Sequence, residues 1–169
     1  SRMLEAATIF EQVNTSSNYQ LLANYGDIFK ATNEYNAESI FEIAHTNKQM
    51  AGWGAWPNFE GNVYTQMIGA RGYSGPTYMA GWGFNPIIKD FVDFMKNDPR
   101  YPHTILNIDS LKVAGVANYE AGYQNTGYFV AKYAPMAENY STIGGDPVIN
   151  YPGNVIEIRL ADTYLMEAE

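Results

Sequence analysis

The chain opens with Met3, Ala7, Phe10 and Val13 at helical spacing, which predicts a helix with one apolar face. The helix should end near Val13, because "NTSSN" supplies side chains that compete for backbone hydrogen bonds. "YQLLANYGDIF" (19–29) has mixed spacings suited to a short helix or turn, and the compact run "ESIFEIAH" (38–45) suits a buried strand. After Asn85-Pro86, the residues Ile87, Ile88, Phe91, Phe94 and Met95 form one stripe. They predict a helix with Pro86 at its first position that stops before Asp98-Pro99. "TILNIDSLKVAGV" (104–116) alternates like a short hairpin, and "GYFVAKY" (127–133) reads as a further strand. The Pro- and Gly-punctuated stretch 134–154 is expected to be a surface connection. In the last segment Ala161, Tyr164, Leu165 and Ala168 again fall at helical spacing, with no cap or stop signal after them.

Both end segments therefore read as cuts through helices, and the chain as the interior of a longer protein. Three parts are expected: residues 1–50, a scaffold helix and connecting segment; 51–153, a loop-rich part; and 154–169, the start of a C-terminal helical repeat.

Composition changes this picture at one place. Residues 52–85, "GWGAWPNFEGNVYTQMIGARGYSGPTYMAGWGFN", hold all three Trp and eight of the fifteen Gly, with only Glu60 and Arg71 charged. So long a stretch without regular signals is functional or disordered, and its aromatic content argues against disorder. Aromatic rings present flat apolar faces, and Gly allows the tight backbone paths that display them. A sugar has a face of C–H bonds and a rim of hydroxyls. Trp53, Trp56, Tyr73 and Tyr78 are therefore expected to stack on sugar rings, with Asn58 and Arg71 contacting hydroxyls. Trp82, between two glycines just before a helix start, is read as structural, whereas Trp53 and Trp56 are read as projecting. Core packing is the competing explanation for each of these rings.

Charge excludes more than it suggests. Ten Lys and Arg against 18 Asp and Glu give a net charge of -8, which repels phosphate backbones, so no nucleic acid partner is expected. The absence of Cys removes thiolate catalysis, disulfides and Cys-ligated zinc. His45 and His103 lack ligand spacing, so no metal and no cofactor are expected. Glu60, Asp90, Asp93 and Asp98 are weak candidates for a glycosidase pair, and no catalytic residue is assigned.

Four segments in order resemble the SusD/RagB family of glycan-binding lipoproteins: "YQLLANYGDIF" with "NAESIFEI", "GWGFNPIIKDFVDFMKNDPR" (81–100), "TGYFVAKY" (126–133) and "RLADTYLMEAE" (159–169). The resemblance implies a mainly α fold: a tetratricopeptide-type helical scaffold carrying an irregular, partly stranded ligand-binding part. It also implies a binding protein rather than an enzyme. Family members are lipid-anchored on the outer membrane, exposed at the cell surface, and deliver oligosaccharides to a TonB-dependent SusC-like transporter. The anchor would lie outside these residues. A helical-repeat scaffold for protein interaction, or a peptide-binding member of the same family, are the alternatives.

Overall fold

The structure is a computed structural model that describes residues 2–48, 51–55, 59–141 and 144–169. Its elements run α1 (Arg2–Asn14), β1 (Ser39–Ile43), α2 (Tyr64–Ile68), α3 (Lys89–Met95), α4 (Tyr101–Thr104), β2 (Ile105–Asn107), α5 (Ile108–Val113), β3 (Tyr128–Val130), β4 (Val155–Arg159) and α6 (Leu160–Ala168). Short 3-10 turns lie at Tyr25–Phe29, Trp53–Ala55, Ala137–Asn139 and Pro147–Ile149. Among the described residues, helix accounts for 36% and strand for 15%, so irregular backbone exceeds either. Among the described residues, no helix is long and apolar enough to cross a membrane.

The chain divides into two compact units, residues 1–44 with 154–169 and residues 45–153. In the terminal unit α1 packs against α6. Asn14 joins them: its amide donates to Glu167 at 2.6 Å, its side-chain oxygen accepts from Thr163 Oγ1 at 2.6 Å, and its carbonyl accepts from the Tyr164 hydroxyl at 3.1 Å. β1 pairs antiparallel with β4, Ser39 opposite Arg159 and Ile43 opposite Val155, with a register shift between. Residues 155–159 of the segment expected to begin a helical repeat are thus strand, and helix begins at Leu160. The strand ends where Asp162 Oδ2 accepts from the Arg159 backbone N–H at 3.0 Å, a carboxylate in the first turn that satisfies a donor the helix leaves unpaired. The Arg159 guanidinium donates to Glu38 Oε1 at 2.8 Å, and the other oxygen of this buried carboxylate accepts from Leu22 N–H at 3.0 Å.

Among its described residues the central unit has three packed regions. One gathers Ala70, Tyr73, Ile108, Ala117, Tyr119 and Phe129; a second joins Val92 and Met95 of α3 to Ile105 of β2. β2 and β3 pair antiparallel, Leu106 opposite Phe129. The third surrounds Ile149, Asn150 and Tyr151, all at most 1% exposed.

Several expectations are corrected here. Residues 104–116 form β2 and then α5 rather than a hairpin, because Asn107 caps the helix by accepting from Ser110 N–H at 2.9 Å. The ends of the 134–154 stretch are buried rather than forming a surface connection: Ala134, Pro135, Ile149, Asn150, Tyr151 and Asn154 are interior, with Asn150 donating to Ala51 O at 2.8 Å and Asp146 O at 2.6 Å and Tyr151 O accepting from Asn62 N–H at 2.8 Å, while Glu138, Gly144 and Gly145 are exposed. α3 begins at Lys89, not Pro86; Ile87 N–H bonds to Tyr128 O at 2.8 Å and keeps the preceding backbone extended. The helix consequently buries Val92 and Met95 and leaves Ile88, Phe91 and Phe94 exposed. α6 buries Leu160 and Thr163, while Tyr164 and Leu165 of the predicted stripe are exposed.

Candidate functional site

The site grows from a crossing of two glycines. Gly69 follows α2, and the segment 81–84 lies beside the same backbone, with a parallel bridge between Arg71 and Gly81. Gly81 N–H bonds to Ala70 O at 2.9 Å, Trp82 N–H to Gln66 O at 2.9 Å, Gly83 N–H to Gly69 O at 2.8 Å and Phe84 N–H to Met67 O at 2.9 Å. A Cβ on Gly81 would lie 2.4 Å from both Cα and O of Gly69, so only glycine permits this approach. Gly81→Ala is therefore expected to lower stability by about 1–3 kcal/mol or more. The measurement is the denaturant midpoint, and an unchanged midpoint would mean that the two backbones part at little cost.

This ladder holds the "GWGFN" backbone so that its side chains project. Trp82 stacks on Trp53 at 6.0 Å and 24°, and Phe84 lies 5.8 Å from Trp82 at 55°. Trp53 comes from the 3-10 turn Trp53–Ala55 and is 45% exposed; Phe84 is 53% exposed. The three rings form a row that bends at Trp82. Asn85, at φ 55°, turns the chain away at the end of the row.

A second wall comes from the loop 120–127. Glu120 N–H bonds to Arg71 O at 2.8 Å, joining this loop to the segment beside Gly81. Between the walls lies an open cleft of about 700 Å³, lined by Arg71, Trp82, Phe84, Asn85, Tyr123 and Gln124 with Gly83, Pro86, Ile88, Gly122 and Thr126. Such a volume lies within the range of small-molecule sites. Arg71 is the one charged lining residue, and its guanidinium has no ion pair among the described residues. The lining supplies ring faces, amide groups and the hydroxyls of Tyr123 and Thr126. Among the described residues no cluster of three or more His, Asp or Glu could hold a metal.

Of the residues expected from sequence, the structure brings together Arg71, in the cleft, and Trp53, which abuts it through Trp82. Trp56 and Asn58 lie outside the described residues. Tyr73 is 7% exposed and belongs to the core around Ile108 and Phe129, so it offers no free ring face. Tyr78 packs edge-on against it at 5.6 Å, and burial, then the neighbouring Tyr73, pushes its hydroxyl pKa up. Tyr73 is thus a core residue, and half-buried Tyr78 packs against that core. Trp82, expected to be structural, is half-buried and is the middle ring of the row. Phe84, Asn85, Tyr123 and Gln124 were not among the expected contacts. The signals for them are the alternation of Gly with aromatic rings at 81–84 and the exposed aromatic between Gly122 and Gly127.

No established family profile matches the chain. It is similar to a SusD-like protein of Formosa agariphila, 28% identical over 94% of this chain and 32% of that protein. Among solved structures it is similar to a laminarin-binding SusD-like protein, with a TM-score of 0.94 and 42% identity over 99% of this chain and 39% of that one. Surface glycan-binding protein A from Bacteroides thetaiotaomicron, in complex with laminarihexaose, superposes with a TM-score of 0.92 and 29% identity, over 99% of this chain and 38% of that one. The chain thus spans roughly a third to two fifths of the length of these proteins.

Proposed function

Because this chain is SusD-like in sequence and in fold, we propose that it carries the oligosaccharide-binding cleft of a surface glycan-binding protein. The ligand is a neutral, laminarin-type oligosaccharide. The observation that carries this reading is the cleft itself: Trp82 and Phe84 in its lining with Trp53 packed on Trp82, hydrogen-bonding groups beside them, and no carboxylate in the lining. Trp53, Trp82 and Phe84 stack on successive sugar faces, while Arg71, Asn85, Gln124 and Thr126 reach hydroxyls and Tyr123 closes from the second wall. The angles between the rings suit a saccharide chain that curves rather than a flat ribbon.

The names of the matched structures support binding rather than turnover. Within a longer protein, the packed α1 and α6 serve as part of a tetratricopeptide-type scaffold. That protein is held at the outer-membrane surface by a lipid anchor and delivers its ligand to a SusC-like, TonB-dependent transporter.

Calorimetric titration of the full-length protein with laminarihexaose tests the reading. Saturable binding is expected, with an affinity that changes little between low and high salt because the ligand is uncharged, and with no reducing ends released on prolonged incubation. Absence of binding to every neutral oligosaccharide tried, together with saturable binding of a peptide, would overturn it in favour of a peptide-binding relative.

A further inference from the structure

The loop 120–127 presents Gly122, Tyr123, Gln124 and Thr126 to the cleft, yet Tyr123 is 87% exposed and Gln124 holds a positive φ of 54°. A non-glycine residue in that conformation persists only where its surroundings over-determine it. The surroundings that do so lie behind the wall. Tyr119, 7% exposed, packs edge-on against Phe129 at 5.9 Å, with Lys112 Nζ 5.4 Å from its ring centroid. Its hydroxyl donates to Asp109 Oδ1 at 2.6 Å and accepts from Asn125 Nδ2 at 3.0 Å. Asn125 Oδ1 in turn accepts from Gly127 N–H at 3.4 Å, and Asn125 N–H bonds to Gly122 O at 3.2 Å across the loop. Gly127, at φ 77°, lies so close to the Asp109 carboxylate that a Cβ there would sit 2.1 Å from Oδ2.

We propose that Asp109, Tyr119 and Asn125 form a positioning relay that holds the second wall of the cleft in its ligand-receiving shape. The inference rests on the oligosaccharide reading of the cleft. None of the three residues is among the cleft's lining, so their effect passes through Tyr123, Gln124 and Thr126. Burial first, and then the bond to Asp109, pushes the Tyr119 pKa up, which keeps the hydroxyl a donor throughout the physiological range. The carboxylate gives the chain of hydrogen bonds a fixed end on α5, where charge-assisted bonds are the stronger kind. A wall held in advance spares the ligand the cost of ordering it.

Tyr119→Phe keeps the ring and removes the relay. In the full-length protein its laminarihexaose Kd is expected to rise about five- to tenfold, with the denaturant midpoint close to wild type. Amide exchange should quicken at residues 121–125 in the free protein and slow again on ligand saturation. Asp109→Asn, which keeps an acceptor oxygen but not the charge, is expected to fall between wild type and Asp109→Ala in both Kd and loop exchange, and Asp109→Ala should resemble Tyr119→Phe. If Tyr119→Phe folds poorly, Asn125→Ala on the exposed side of the relay provides the same comparison. Wild-type protein that binds no oligosaccharide overturns the glycan reading and the relay's assigned role with it. Wild-type protein that binds, with Tyr119→Phe and Asn125→Ala unchanged in both Kd and loop exchange, overturns the relay alone.

Discussion

Replacing Trp82 with alanine is expected to weaken laminarihexaose binding on the order of 30- to 1,000-fold, about 2–4 kcal/mol, the range of a central aromatic anchor. Trp82 is the middle of the row, touching Trp53 on one side and Phe84 on the other. Its removal deletes one stacking face and withdraws the support that orients the other two, each aromatic pair adding about 0.5–1.5 kcal/mol beyond area burial. The backbone amides of residues 81–84 would still bond to the α2 segment, so the loss should fall on binding more than on folding. Trp82→Phe, which restores a ring, is expected to recover part of the affinity. Calorimetry on both variants, with circular dichroism to verify folding, checks this. A Trp82→Ala protein that binds within twofold of wild type would remove the row from the site, and Phe84→Ala, at a 53% exposed position, gives a second reading if Trp82→Ala is unstable.

Arg159→Met is expected to cost about 3–5 kcal/mol of stability, because it leaves a buried carboxylate without its cation. The Glu38 side chain is only 3% exposed and the Arg159 side chain 19%, with 2.8 Å between the guanidinium and Oε1. Arg159 also lies 6.0 Å from the Tyr25 ring centroid, so one side chain links β4, β1 and the Tyr25–Phe29 turn. Adding Glu38→Gln to Arg159→Met should restore most of the loss, since the neutral amide still offers an oxygen to Leu22 N–H. Urea midpoints with matched slopes measure both variants. A loss below about 1 kcal/mol for the single variant would mean that water reaches Glu38 and screens it.

Those two residues mark how differently the parts of this protein could be read. Arg159 stands in "RLAD", one of four ordered segments that carried the family resemblance, and the structure explains the pattern physically: the Arg closes onto Glu38 of "NAES" while the Asp caps α6. α1, β1, β3 and α6 were legible as elements because each follows a period of two or of 3.6, although β1, expected to be a buried strand, leaves Phe41 and Ile43 exposed. Even so, α3 and α6 bury faces other than their most apolar stripes, since helices of seven and nine residues take their rotation from what they dock on. α5 was missed because its alternating apolar positions resembled strand more than its single Asn107 cap resembled a helix start.

Within the candidate site, sequence alone pointed to the segment of one wall: a glycine-rich run with all three Trp and only Glu60 and Arg71 charged. Only the tertiary structure decided which rings face outward. Tyr73 and Trp82 both stand beside glycine in the same stretch, yet Tyr73 joins the core and Trp82 the cleft. Irregular backbone has no period to tell one face from another. The direction of each side chain there follows from hydrogen bonds to distant segments, such as Trp82 N–H to Gln66 O, and from the one crossing that Gly69 and Gly81 make possible.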